Sequence, residues 1–306
     1  MKTNKPIKPT MLALLATTCM ATTLSLQAAQ VWFSSSIDGG HHTSTGAPLG
    51  DDTIVELGAF APGFVPTAQN TAEWKQNWHS AARSLYDAQN RWYNGTFTVP
   101  NNNGVYATGQ QGWIWIFNRS GEWCLFSKPS WTWPSTAGDN LEAPVQWSAE
   151  EASISVVGQA STPEEEITTA LVTNGASPSI TFEQWTSLLF GASAAVADGD
   201  NDGDGVSNFA EYALGSRADI AGSIPSNHSV AFEQNGQRYL AVGIDKGWTT
   251  GVNFSASLSP DLNAWDSSVS ATNITIIQDS ATGFIARDSQ PIGAREKAFL
   301  RLNVNR

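Results

Sequence analysis

Twelve residues carry the clearest chemistry in this chain. They read Asp200-Asn201-Asp202-Gly203-Asp204-Gly205-Val206-Ser207-Asn208-Phe209-Ala210-Glu211. They fit the spacing D-x-[DN]-x-[DN]-G-x5-E at every defined position. Calcium is a hard cation that takes six to eight oxygens at about 2.3–2.6 Å. Three alternating aspartates can turn their carboxylates toward one point. Gly205 permits the sharp turn that a side chain would obstruct. The expected ligand set is Asp200, Asp202, Asp204, the carbonyl of Val206, Asn208 directly or through water, and Glu211 from the following helix. The expected cofactor is therefore Ca2+. Without a cation, four carboxylates at close range repel one another.

Other residues offer weaker chemistry. Asp38, His41 and His42 cluster, but neighbouring strand residues face opposite ways, so a shared metal is awkward and a polar loop is the expectation. Asp51, Asp52, Glu56, Glu73 and Glu122 could supply the paired carboxylates of a glycosidase. No serine lies in a G-x-S-x-G turn. Cys124 has no histidine nearby in sequence and reads as a buried, inert thiol. Trp92, Trp131 and Trp133 are candidate ligand-binding aromatics, the last two flanked by Pro129 and Pro134. The favoured reading nevertheless places those rings in the core, where tryptophan contributes a large apolar area.

The loop needs helices to hold it. Thr181 and Gln184 have capping-box spacing, and Phe182, Trp185 and Leu189 share one helical face before Gly191. A short outgoing helix runs from Asn208 to Leu214, with Gly215 as its stop. The incoming helix does not lead straight into the loop, and only one such loop exists. Both features depart from an ordinary EF-hand pair.

The flanking segments read as β. Trp113 to Phe117 and Glu122 to Phe126 alternate about the turn Asn118-Arg119-Ser120-Gly121, which predicts a central hairpin apolar on both faces. Thr53 to Leu57 and Thr96 to Val99 are further strands. Asn70 and Glu73 suggest a second capping box, with Trp74 and Trp78 on one helical face. Near the C-terminus, Asn235-Gly236 predicts a tight hairpin between 229–234 and 237–244. Strands are also expected over 252–258, 274–277, 284–287 and 299–304. Six short strands in about 80 residues imply a small sandwich.

The expected fold is mainly β. Its parts are a signal peptide (1–29), a Trp-rich β-sandwich (30–157), a linker (158–178), a helix–calcium-loop–helix junction (179–220) and an immunoglobulin- or fibronectin-III-like β-sandwich (225–306). Ten of the thirteen tryptophans fall between Trp32 and Trp147, and the linker contains the acidic run Glu164-Glu165-Glu166.

Lys2, Lys5 and Lys8 precede an uncharged apolar run and the small residues Ala28 and Ala29, the layout of a cleaved secretory signal. Losing those three lysines takes the formal charge from −12 to −15. So acidic a chain repels nucleic acid and anionic membranes. After cleavage Cys124 would be the single cysteine, so no intrachain disulfide could form.

The run from Asp198 to Gly215 resembles the thrombospondin type 3-like and dockerin-like calcium segments of exported bacterial proteins, which often precede a small terminal β domain. A true dockerin has two such segments, so cohesin docking is not implied. Gln111 to Phe117 and Pro129 to Pro134 resemble segments of exported proteins without an assigned role. The resemblance implies an exported, calcium-stabilised, non-catalytic structural or adhesive protein at the cell surface or outside the cell, with extracellular polysaccharide or surface components as partners. A carbohydrate-binding module using first-domain tryptophans, and a hydrolase, are the alternatives.

Overall fold

The computed structural model describes residues 29–37, 39–100, 102, 104–136, 144–161, 166–191, 195–223, 228–266 and 273–306. The expected signal segment up to residue 28, Asp38, and Glu164 and Glu165 lie outside them.

The chain is mainly β. Its first part runs β1 (Gln30–Ser34), β2 (Gly40–His42), β3 (Ile54–Phe60), α1 (Thr71–Asn77), β4 (Trp78–Leu85), β5 (Asn94–Thr98), β6 (Trp113–Phe117) and β7 (Glu122–Ser127). It continues through β8 (Val145–Ser148), β9 (Ile154–Val157), β10 (Gln159–Ser161), β11 (Glu166–Thr168) and β12 (Ala170–Leu171). Two helices follow, α2 (Phe182–Phe190) and α3 (Asn208–Leu214). The last part is β13 (His228–Gln234), β14 (Gln237–Asp245), β15 (Asn253–Ser259), β16 (Ile274–Asp279), β17 (Gly283–Asp288) and β18 (Phe299–Asn305).

The hairpin β6–β7 is the middle of the first part. It lies in a sheet of order β12-β7-β6-β3-β4, with β9 also on β7. Side chains alternate across a sheet, so an apolar run on such a strand feeds two cores. Ile114, Ile116, Cys124 and Phe126 enter one core, where they meet Val31, Phe33 and Trp147 from the smaller sheet β5-β1-β8. Trp115, Phe117, Trp123 and Leu125 enter the other, together with Trp74, Trp185, Tyr212 and Trp248. The second core thus joins the central sheet to α1, α2, α3 and the segment after β14.

The third sheet changes the expected organisation. The stretch 158–178, read from sequence as a linker, carries three short strands of the first part. β11 pairs with β10 on one side and β2 on the other, and β12 pairs with β7. Strands this short need few inward apolar residues. Ile167 is 1% exposed and Ala160 8%, while the polar residues between them give the segment its linker-like composition.

The second expected capping box is also absent. Asn70 makes no side-chain cap; its Oδ1 accepts from Thr67 N–H (2.8 Å) and Trp74 Nε1–H (2.8 Å). Trp78 opens β4 rather than extending the helix, although its ring still meets Trp115 at 5.5 Å.

The last part forms two sheets, β13-β14-β17-β16 and β15-β18. Lettered in chain order these are A-B-E-D and C-F, an immunoglobulin-type arrangement with no strand G among the described residues. Asn235 (φ 54°) and Gly236 (φ 72°) make the expected tight turn between β13 and β14.

Candidate metal centre

The acidic loop is built from its own backbone. Asp200 accepts from Gly203 N–H (2.8 Å) and Gly205 N–H (2.9 Å). Asp202 Oδ1 accepts from Asp204 N–H (3.2 Å), and Asp204 accepts from Val206 N–H (2.9 Å) and Gly222 N–H (3.0 Å). Gly203 (φ 79°) and Gly205 (φ 94°) take the left-handed conformations that this path requires. Ser207 then caps α3 by accepting from Ala210 N–H, and Gly215 ends the helix at φ 81°.

These bonds draw one carboxylate oxygen each from Asp200, Asp202 and Asp204 to within 4.8 Å of one another. Asp202 Oδ2 is buried without a partner. Glu211, one turn into α3, is 1% exposed, and neither of its oxygens has a hydrogen-bond partner. Burial, and then the charges of Asp202, Asp204 and Asp200, raise its carboxyl to about 8. A buried carboxylate without a donor carries a large desolvation cost. A divalent cation among these four groups would remove both the desolvation cost and the repulsion.

Asn208 departs from the expected ligand role. It is wholly buried, its Oδ1 accepts from Asn201 N–H (3.1 Å), and its amide donates to Val196 O (2.7 Å) and Asn201 Oδ1 (3.0 Å). It clamps the start of the loop to the start of the helix. Val206 contributes its N–H to the loop; the carboxylate oxygens that converge are those of the three aspartates, and Glu211 feels their charge.

The far end of α3 is held by a residue that sequence reading passed over. Arg119, in the β6–β7 turn, is 2% exposed. Its guanidinium donates to Tyr212 O (3.1 Å), Ala213 O (2.6 Å) and Asp245 O (2.8 Å). It therefore caps the negative end of the helix and grips β14. Burial lowers its pKa to about 10 against the opposing charge of Asp52. Trp248 lies 5.5 Å from the guanidinium and donates to Asp52 O (2.7 Å). The Tyr212 hydroxyl contacts the carbonyls of Ile180 and Thr250.

Gly247 (φ 50°) lies so close that a Cβ would stand 2.3 Å from Arg119 Cα. Gly247→Ala is expected to cost ~1–3 kcal/mol in urea unfolding. Gly251→Ala, at φ 71° with nothing within 4 Å, supplies the control for the backbone conformation alone and should cost less.

The remaining candidates are tied to the scaffold. Trp131 and Trp133, the candidate ligand-binding aromatics for which a core position was the favoured reading, are 2% and 0% exposed. Trp131 stacks on Trp147 (5.8 Å, 9°), and Trp133 meets Tyr106 edge-on at 4.8 Å, so neither ring can platform a ligand. Trp92 is half-buried and lines a small cleft of about 240 Å³ with Asp87 and Arg217.

His41 is a buried strand residue rather than part of a polar loop. Its Nδ1 lies 3.1 Å from Tyr86 Oη, and burial, then the charges of His42 and Arg91, lower its pKa to about 4. His42 faces the other way, toward Gly40 O. Glu56 is buried against Arg83 and Trp78. Glu122 accepts from Ser44 and Thr169. Asp51 accepts from Ala88 N–H, Asp52 from Arg119 N–H, and Glu73 stays exposed on α1. Cys124 is wholly buried, and burial pushes its thiol well up.

No protein-family model matches the sequence, and neither does any curated protein.

Proposed function

We propose that this chain is an exported, calcium-stabilised structural or adhesive protein. Its acidic loop acts as a metal-dependent fastener between two β modules. One observation carries this reading: Glu211 is buried with both oxygens unpartnered beside three converging aspartates. A helix end of this kind is stable only when a cation, or a proton, neutralises it. Residues Asp200, Asp202, Asp204 and Glu211 would hold the ion, and its contribution is to cancel charge. The placement of α3 supports a fastening role, because its opposite end is gripped by Arg119 of the central hairpin. A non-catalytic role accords with carboxylates committed to Arg83, Ser44 and Thr169. Export, extracellular localisation and surface or polysaccharide partners rest on the sequence pattern of residues 1–29 and on the acidic charge.

Calorimetric titration of the chain with calcium chloride tests the reading. The expected dissociation constant is ~10⁻⁴ to 10⁻³ M, the range of extracellular modules. Limited proteolysis should show residues 195–215 cut more slowly in millimolar calcium than in chelator. No heat, together with identical digestion in both buffers, would defeat the proposal.

A further inference from the structure

We propose that the outer face of the β5-β1-β8 sheet binds a neutral glycan chain, with the Trp32 indole as its platform. The inference does not depend on the calcium reading. Val31 and Phe33 are fully buried, so β1 turns them inward. Gly95 opposite Phe33 has no room for a side chain, since a Cβ would stand 2.3 Å from the Phe33 ring. Trp147 on β8 is also inward, at 1% exposure. Alternation then turns Gln30, Trp32 and Ser34 outward.

The neighbours follow from the register. Thr96 on β5 and Gln146 on β8 lie directly beside Trp32. Asn94 and Ser148 flank Ser34, and Thr98 pairs with Gln30. Trp32 is 42% exposed, unlike the other tryptophans of this sandwich core. The face therefore presents one large ring among amides and hydroxyls. Trp32, Asn94, Thr96 and Gln146 are all exposed on this face.

Charge selects the occupant. The chain carries a formal charge of −12, yet these eight side chains carry none. A nucleic acid would find no lysine or arginine here, and an acidic glycan no counter-charge. A protein partner would find one indole, far short of the contiguous apolar patch that marks such an interface. A neutral sugar matches both parts of the surface. Its C–H face packs on the indole, and its hydroxyls bond the amide and hydroxyl groups around it. From Gln30 to Ser34 the platform extends about 13 Å at ~3.3 Å per residue, enough for a short run of sugar units.

The test is native affinity electrophoresis of the chain in gels containing hydroxyethylcellulose, galactomannan or dextran, with polygalacturonate as the charged control. Retardation is expected in at least one neutral gel. Trp32→Ala should weaken it at least tenfold with an unchanged near-UV circular dichroism spectrum, and Trp32→Phe should retain part of it. Ile292→Ala, an exposed apolar residue elsewhere, should leave it unchanged. Migration unaffected by every neutral polymer, retardation that survives Trp32→Ala, or stronger retardation by polygalacturonate would each overturn the proposal.

Discussion

Replacing Glu211 by glutamine is expected to move stability in opposite directions with and without calcium. In chelator at pH 8, the variant should melt above the parent chain, because it no longer buries an unpartnered carboxylate. In calcium it should melt below, because the ion loses a ligand. At a hundredfold excess over its dissociation constant the ion contributes ~2.7 kcal/mol to the native chain. The variant should forfeit most of that.

The pH dependence has a definite sign. The carboxyl's folded value is raised from 4.5 to about 8, so the folded chain retains a proton that the unfolded chain has released. The contribution of Glu211 to the stability of the calcium-free chain is full below about 4.5 and is lost as pH rises through about 8. Glu211→Gln should flatten that slope, and calcium should shift it to lower pH, since metal and proton compete for the same oxygens. Scanning calorimetry across pH 5–9 in chelator and in calcium reads all three effects. A parent chain with the same melting temperature in both buffers would refute the assignment.

Removing Arg119 is expected to cost still more. Arg119→Ala strands the carbonyls of Tyr212, Ala213 and Asp245 and leaves the partly buried Asp52 without the guanidinium charge that opposes its desolvation. Breaking a buried charged network of this kind costs ~3–5 kcal/mol. Arg119→Lys should recover little, because an ammonium cannot reproduce the planar fork that serves three carbonyls on two elements. Arg119→Ala with Asp52→Asn should recover part of the loss by removing the stranded charge. Urea unfolding of the three variants gives the comparison. Equal stability of Arg119→Ala and the parent chain would show that the grip on α3 is incidental.

The legible parts of this fold are those where one local rule decides. The 113–126 hairpin announced its central position through two interleaved apolar faces, and the faces do feed separate cores. Asn235-Gly236 specified its turn, and Thr181 with Gln184 its helix start. At Asn70 the same spacing failed because Trp74 Nε1 and Thr67 N–H compete for its side-chain oxygen. The prolines around Trp131 and Trp133 suggested an exposed loop, but the 128–133 segment folds back onto Gln110 and Gly112 and carries both rings inward.

The acidic loop showed its aspartates and glycines plainly. It did not reveal that Asn208 would be consumed as a clamp. Arg119 sat in a turn of ordinary polar composition, and its burial depends on elements roughly a hundred residues away. Trp32 had a usable signal: between two buried apolar neighbours, strand alternation alone turns it outward. It was hidden by the run Val31-Trp32-Phe33, which masks the alternation.

The pairing of β1 has a kinetic consequence. Val31 sits beside Val145, and His41 of β2 beside Ile167, both in parallel register. Although β1 also pairs with the nearer β5, neither parallel pairing can close until it meets chain more than a hundred residues downstream, so these contacts are slow to form. The local β6–β7 meander can form early and serve as a nucleus. Refolding should therefore show an early phase in central-sheet tryptophan emission, followed by a slower one as the first strands lock into place.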